Sequence, residues 1–140
     1  MKAITLTKYG SADDLKLEEV ACPVPKADEV PIKVHASAIN DYELAVLQGK
    51  PLFIRLFLEF FKPKVKIPGC EAASIIEAAG RDVSKFKPGD RVYDNLSESG
   101  FGSFAEFVCV RQDSVVIGKN MPIIYFSRYS KSLYIGNKFK

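Results

Sequence analysis

The chain carries a single histidine in 140 residues. A zinc site needs several Cys, His or carboxylate ligands converging at once, and His35 has no His or Cys at ligand spacing. It sits mid-strand between Lys33 and Ser37 and reads as an ordinary surface or half-buried residue. No Ser, His and Asp triad can be argued around it from the sequence either. The three cysteines, Cys22, Cys70 and Cys109, are odd in number, far apart, and form no Cys-x-x-Cys pair. Neither a disulfide framework nor a zinc knuckle is signalled. Cys70 beside Glu71 supplies one thiol and one carboxylate, too few for a metal. Cys109, between Val108 and Val110, has the setting of a small apolar core residue. Long apolar runs are missing too, so neither a membrane span nor a signal peptide is expected, and the chain reads as soluble and cytoplasmic.

Acidic residues stop before Ser114, while Lys119, Arg128, Lys131, Lys138 and Lys140 follow. Tyr125, Phe126, Tyr129 and Tyr134 lie between these cations, a pattern that can stack on single-stranded nucleic acid. No RNA-binding motif accompanies it, so no nucleic-acid partner is expected. The plainer reading is a tail that lacks acids. There is no internal repeat and no low-complexity tract.

What is present is ordinary globular composition, 47% apolar and 26% charged, enough for one domain with a core. Short alternating segments separated by Gly and Pro turns favour all-β packing. Lys2–Thr7 and Leu15–Val20 alternate as strands, and Pro23-Val24-Pro25 interrupts pairing because proline has no amide hydrogen. Glu29–Ala38 is the longest clean strand, with Ile32, Val34, Ala36 and Ala38 expected on one face and Lys33, His35 and Ser37 on the other. Asn40-Asp41 opens a short helix, Tyr42–Gln48, with Asp41 as a competent N-cap, Glu43 in the first turn and Gly49 as the stop. The stretch 67–92 reads as turn, strand, turn, strand, opened by Pro68-Gly69 and turned again by Pro88-Gly89-Asp90. A loop over Tyr93–Gly102 then leads to strands at Ser103–Val110 and Ser114–Ile117.

Two stretches stand out. Leu52–Phe61 is apolar on all sides except for Arg55 and Glu59, so it is either buried on several sides or waits for a partner. That makes a non-enzymatic binding or scaffold domain, self-associating or docking through Leu52–Phe61, the alternative function; membrane-surface binding with Lys62, Lys64 and Lys66 is a weaker one. Gly100-Phe101-Gly102-Ser103-Phe104-Ala105 matches the dinucleotide pattern Gly-x-Gly-x-x-Ala. A phosphate-binding turn leaves a strand and opens a helix, whereas this one follows a loop and enters a β-rich run, so a glycine-bent loop is expected.

Several ordered segments carry a resemblance. They are Lys2–Gly10, Val34–Asn40, the Pro68-Gly69-Cys70-Glu71 turn, Phe86–Val92 and Gly102–Phe107. Together they resemble the GroES-like, alcohol dehydrogenase-like N-terminal domain of the medium-chain dehydrogenase/reductases, closest to the zinc-independent quinone oxidoreductases that use NADPH. The resemblance implies a mainly β fold, a partly open barrel with one or two short helices and no Rossmann domain, over residues 1–122. Residues 123–140 form an unmatched basic and aromatic tail.

It also implies hydride transfer from NADPH to a small quinone or enone in the full-length family, with the chain alone binding NADPH poorly or not at all. Asn40 stands where zinc enzymes carry a ligand cysteine and falls on the nicotinamide side. Cys70 stands where they carry histidine, so no zinc is expected. Glu43 replaces an aspartate, Leu47 a frequent arginine, and Ser74 a glycine. Tyr42, Glu43, Phe57 and Phe60 fall at the substrate cleft, under a lid formed by Leu52–Phe61. Relatives continue past Pro122 into a nucleotide-binding domain, so this chain reads as a truncated or frame-shifted product, with a natural end as the alternative. The catalytic residue itself is not identified.

Overall fold

The computed structural model describes residues 1–50, 65–97, 99–118 and 133–136. The expected lid Leu52–Phe61, with Phe57 and Phe60, therefore lies outside the described residues. So does most of the tail.

Strands β1 (Lys2–Leu6) and β2 (Leu15–Glu19) pair antiparallel, with Leu6 opposite Leu15. A tight turn at Ala12–Asp14 joins them. There the Ser11 hydroxyl accepts from the Asp13 amide and the Asp14 carboxylate accepts from the Ser11 amide. The second sheet runs in the order β6 (Phe107–Arg111), β3 (Glu29–Ile39), β4 (Glu71–Ile76), β5 (Arg91–Asn95), β7 (Val115–Ile117), with β8 (Leu133–Gly136) also on β3. Every described pairing is antiparallel. The sheet curls into a half barrel, as expected for the mainly β, partly open fold, and carries one short α-helix, α1 (Asp41–Gln48). The β1 strand crosses to the second sheet: the Ile4 amide donates to Phe104 O at 2.8 Å and the Glu106 amide to Lys2 O at 3.1 Å.

The alternation expected of β3 holds only to Val34. Between Val34 and Ala36 the pairing with β4 shifts by one residue, so Val34 faces Ser74 while Ala36 faces Ala73. Because side chains alternate with a period of two, this bulge carries Ala36 to the opposite face. Ile32 and Val34 pack with Val30, Ala72, Ile76 and Val92, whereas Ala36 packs with Ala73 and Tyr93. Ser37, expected on the polar face, is instead 7% exposed. Its hydroxyl donates to Glu71 O at 2.8 Å, which leaves the Ser103 hydroxyl to donate to Ser37 Oγ at 2.7 Å.

Smaller differences have equally local causes. The strand expected after the Pro68-Gly69 turn ends at Ile76, where the next amides turn to other partners: Glu77 N donates to Pro31 O and Gly80 N to Glu29 O. Tyr93–Asn95 belong to β5 rather than to a loop. Ser103–Glu106 precede β6 and are held by β1 instead.

Asp94 is the awkward member of the sheet. It is 3% exposed, its Oδ2 accepts from the Ser114 hydroxyl at 3.3 Å, and its Oδ1 has no partner among the described residues. Burial pushes its carboxyl up to about 7, against smaller lowering by the Ser114 and Asn95 hydrogen bonds. The Ser114 hydroxyl also lies 2.9 Å from Arg111 O, and its one proton cannot serve both acceptors fully. A protonated Asp94 resolves this by donating to Ser114.

Since the folded pKa exceeds the unfolded one, Asp94 stabilises the fold below the ordinary carboxylate range and loses that contribution as pH rises toward 7. Asp94→Asn is expected to match the wild type at pH 4 and to exceed it at pH 8 by on the order of 2–4 kcal/mol. Urea unfolding at the two pH values checks this; equal stability at pH 8 contradicts it.

Candidate functional site

The site forms where β3 ends and α1 begins. Asn40, not Asp41, is the N-cap: its Oδ1 accepts from the Tyr42 amide at 2.8 Å and the Glu43 amide at 3.3 Å. Asparagine caps well because its backbone stays extended, here φ −127° and ψ −179°, while its side chain reaches the first orphan amides. Glu43, three residues on, closes a capping box by accepting from the Asn40 amide at 2.9 Å. Gly49 ends the helix in the left-handed conformation, φ 59°, as the sequence implied.

Glu43 does more than the first-turn charge required. It is only 4% exposed, and its Oε1 accepts from both the Cys70 amide at 2.9 Å and the Cys70 thiol at 2.6 Å. One carboxylate thus fastens the helix start to the Gly69-Cys70 turn. Asn40 Nδ2 points the same way, 3.3 Å from Glu71 Oε1 and 3.7 Å from Cys70 Sγ. That amide nitrogen thus reaches both Glu71 and Cys70. Glu71 Oε2 is buried with no partner among the described residues.

Burial, followed by the hydrogen bond to Glu43, pushes the Cys70 thiol up to about 12. Cys70 is thus held as a thiol that donates, not as a thiolate.

The facing wall comes from the glycine-bent loop. Gly100, Phe101 and Gly102 have φ of 99°, 69° and 122°, so a phenylalanine sits in the left-handed region between two glycines. That loop is locked to the Gly69 turn: the Gly102 and Ser103 amides both donate to Gly69 O, at 3.0 and 3.1 Å. Gly69 itself has φ 97°, and a Cβ there would fall 2.3 Å from Ser103 Oγ. The strained backbone buries Phe101 against Val46, Val65 and Cys70. Tyr42, 46% exposed, stacks on its ring at 5.9 Å and 14°.

Of the residues singled out in the sequence, the structure brings together Asn40, Tyr42, Glu43 and Cys70. Glu43 lies beneath the surface rather than on it. Leu47, 9% exposed, joins the apolar interior. Ser74, 1% exposed, leaves its hydroxyl without a partner among the described residues. Phe101, Ser37 and Ser103 escaped the sequence reading. The Gly-x-Gly pattern around Phe101 was the available signal, since a residue between two glycines is a candidate for positive φ. A separate surface hollow of about 480 Å³, lined by Lys85, Phe86, Lys87 and Arg91 among others, shares no residue with this cluster.

A family model for the alcohol dehydrogenase GroES-like domain matches residues 26–120. The chain belongs to that family. Among curated relatives of this GroES-like domain, the quinone oxidoreductase of Sus scrofa is 38% identical over 117 residues, covering 82% of this chain and 32% of the relative. The chloroplastic NADPH-dependent alkenal/one oxidoreductase of Arabidopsis thaliana is 37% identical over 119 residues, covering 80% and 29%. Among solved structures, the human synaptic vesicle membrane protein VAT-1 homolog-like protein matches with TM-score 0.74 at 30% identity, over 88% of this chain and 37% of that one. The resemblance to quinone oxidoreductase-like medium-chain dehydrogenase/reductases therefore holds for this domain. The chain spans about a third of the length of the curated relatives it matches.

The three thiols of the GroES-like domain are expected to react in a fixed order. Cys22 is exposed, Cys70 is buried and held protonated, and burial pushes Cys109 up to about 11. A disulfide-exchange reagent at pH 8 should titrate Cys22 in the native protein and the other two only after unfolding. Fast labelling of Cys70 itself, located by peptide mass, contradicts its burial.

Proposed function

We propose that this chain supplies the substrate-side domain of an NADPH-dependent, zinc-independent reductase of small quinones or enones, and that it does not bind the cofactor tightly by itself. Residues 1–122 form the domain in this reading. The single observation that carries it is the aromatic wall of Tyr42 and Phe101 beside the Asn40–Cys70–Glu71 cluster. The exposed Tyr42 ring, backed by the buried Phe101, suits a flat conjugated ring, and the relatives named quinone and alkenal/one oxidoreductase share this domain.

The roles in this reading join the family resemblance to the bonding. Asn40 orients the nicotinamide side and is itself fixed by the cap and by Glu71. Tyr42 is the cleft surface, and Glu43 is the buried support that holds Asn40 and Cys70 in register. Glu71 Oε2 remains as an acceptor for a donor on a bound group. The donor set does not fit zinc: Asn40 offers a carboxamide where a thiolate or imidazole would serve, and no three His, Cys, Asp or Glu side chains converge on one point among the described residues. Nor do the described residues fit a pyrophosphate, because the Gly-x-Gly loop runs into β-structure rather than opening a helix. NADPH supplies the hydride when a nucleotide-binding domain presents it; this domain shapes and orients the acceptor beside it. No helix among the described residues is long and apolar enough to cross a membrane, and we place the protein in the cytoplasm.

Chemical-shift mapping with a small naphthoquinone tests the reading. Shifts should cluster at Asn40–Glu43 and Phe101 and be lost in Tyr42→Ala. Shifts confined to the hollow at Lys85–Arg91 would contradict it. NADPH titrated into the same protein should show no saturation at low micromolar concentration; tight binding would overturn the missing-cradle argument.

A further inference from the structure

The β4–β5 ladder has two ends. At one, Asn95 faces Glu71 of the candidate site; at the other, Arg91 faces Ile75. The hollow of about 480 Å³ lies at this second end, between the connection that precedes β5 and the last residue of β7, Ile117.

Its frame is fixed by its own hydrogen bonds. The Asp90 carboxylate accepts from the Lys87 amide at 3.0 Å, and the Gly89 amide donates to Ile76 O at 2.9 Å. The Ser84 amide donates to Gln112 Oε1 at 3.2 Å, and across the hollow the Gly118 amide donates to Arg91 O at 3.0 Å. Phe86 packs against the apolar core of the sheet together with Val83, so this wall is anchored from below. A site built in advance loses little freedom when it is filled.

The lining joins two chemistries. Phe86 and the 40% exposed Ile117 are apolar, whereas Lys85, Lys87 and Arg91 are cationic. The Lys85 ammonium is already matched by the Asp113 carboxylate at 2.7 Å. Lys87 and Arg91 have no ion pair among the described residues, and Asp90 is the one acid in the lining. Two unpaired cations against one carboxylate leave positive charge beside an apolar wall. An anion with an apolar body satisfies both parts, which a bare anion or a neutral ring does not. A dianion also outweighs the repulsion from Asp90 better than a monoanion, which favours a phosphate monoester over a carboxylate.

We propose that this hollow binds a small aromatic phosphate monoester, its phosphate held by Lys87 and Arg91 and its ring lying on Phe86 and Ile117. The site shares no residue with the cluster at Asn40, and the inference is independent of the reductase reading.

Chemical-shift titration of the full 140-residue chain with phenyl phosphate near pH 7.5 tests it. Saturable shifts should appear at Ser84–Arg91 and Ile117–Gly118, with half-saturation at about 1 mM. Inorganic phosphate, the charge without the ring, and phenol, the ring without the charge, should each bind at least fivefold more weakly. Lys87→Gln/Arg91→Gln should weaken phenyl phosphate roughly tenfold.

No shift at these residues up to about 10 mM phenyl phosphate would overturn the proposal. Inorganic phosphate binding as well as phenyl phosphate would reduce the site to a cationic surface, and phenol binding as well would reduce it to an apolar one; either result overturns the ligand named here. Should the double variant lose its fold, the wild type decides through salt. Raising NaCl from about 50 to about 300 mM should weaken phenyl phosphate at least threefold, and unchanged affinity would overturn the role of the two cations.

Discussion

A single buried carboxylate holds this domain's candidate site together. Glu43 caps its own helix through the Asn40 amide and binds the Cys70 amide and thiol. Three donors converging on one charge in a nearly water-free setting are each stronger than neutral hydrogen bonds, on the order of 1.5–3 kcal/mol. The connection is also long-range in the chain, since it ties the end of β3 to the start of β4. Without it α1 would rest on the sheet through few apolar contacts, chiefly Val46 against Val65, Cys70 and Phe101.

The geometry around Glu43 depends on two backbone irregularities. The bulge in β3 turns Ser37 inward, where it fixes the Glu71 backbone and meets Ser103. The positive-φ run at Gly100–Gly102 brings Phe101 beneath Tyr42 and lets the loop amides reach Gly69 O. Gly69 is required at their meeting point by both its φ and the closeness of Ser103 and Phe104. These three devices place the cap, the turn and the aromatic wall against one another. In the proposed reading this wall, polar on one side and aromatic on the other, is the seat of a flat electron-poor ring.

Much of this was legible in the sequence. The strand at Glu29–Ala38 with its alternation as far as Val34, the turn at Pro88-Gly89-Asp90 and the Gly49 stop each follow from local chemistry and are found in place. The ordered motifs located the family, and the misplaced Gly-x-Gly was correctly read as a loop. The bulge was not legible, because it arises from pairing with β4 and not from any residue in His35-Ala36-Ser37. The depth of Glu43 was hidden as well: a glutamate in the first turn of a helix looks like an exposed dipole partner until Cys70 is brought beneath it. Asn40 was singled out by resemblance, whereas its part as the cap follows from its side chain reaching amides that the neighbouring Asp41 leaves free. Pairing of Leu133–Gly136 with β3 likewise joins residues too far apart in the chain for any local pattern to announce.

The account turns on Glu43 and Cys70 acting as a pair, and a double-mutant cycle on unfolding free energy measures that directly. Urea unfolding of wild type, Glu43→Ala, Cys70→Ala and the double variant should give a coupling energy of about 1–3 kcal/mol, with each single variant less stable than wild type. A coupling near zero, with the two losses simply adding, would contradict the claim that this carboxylate joins the helix to the sheet.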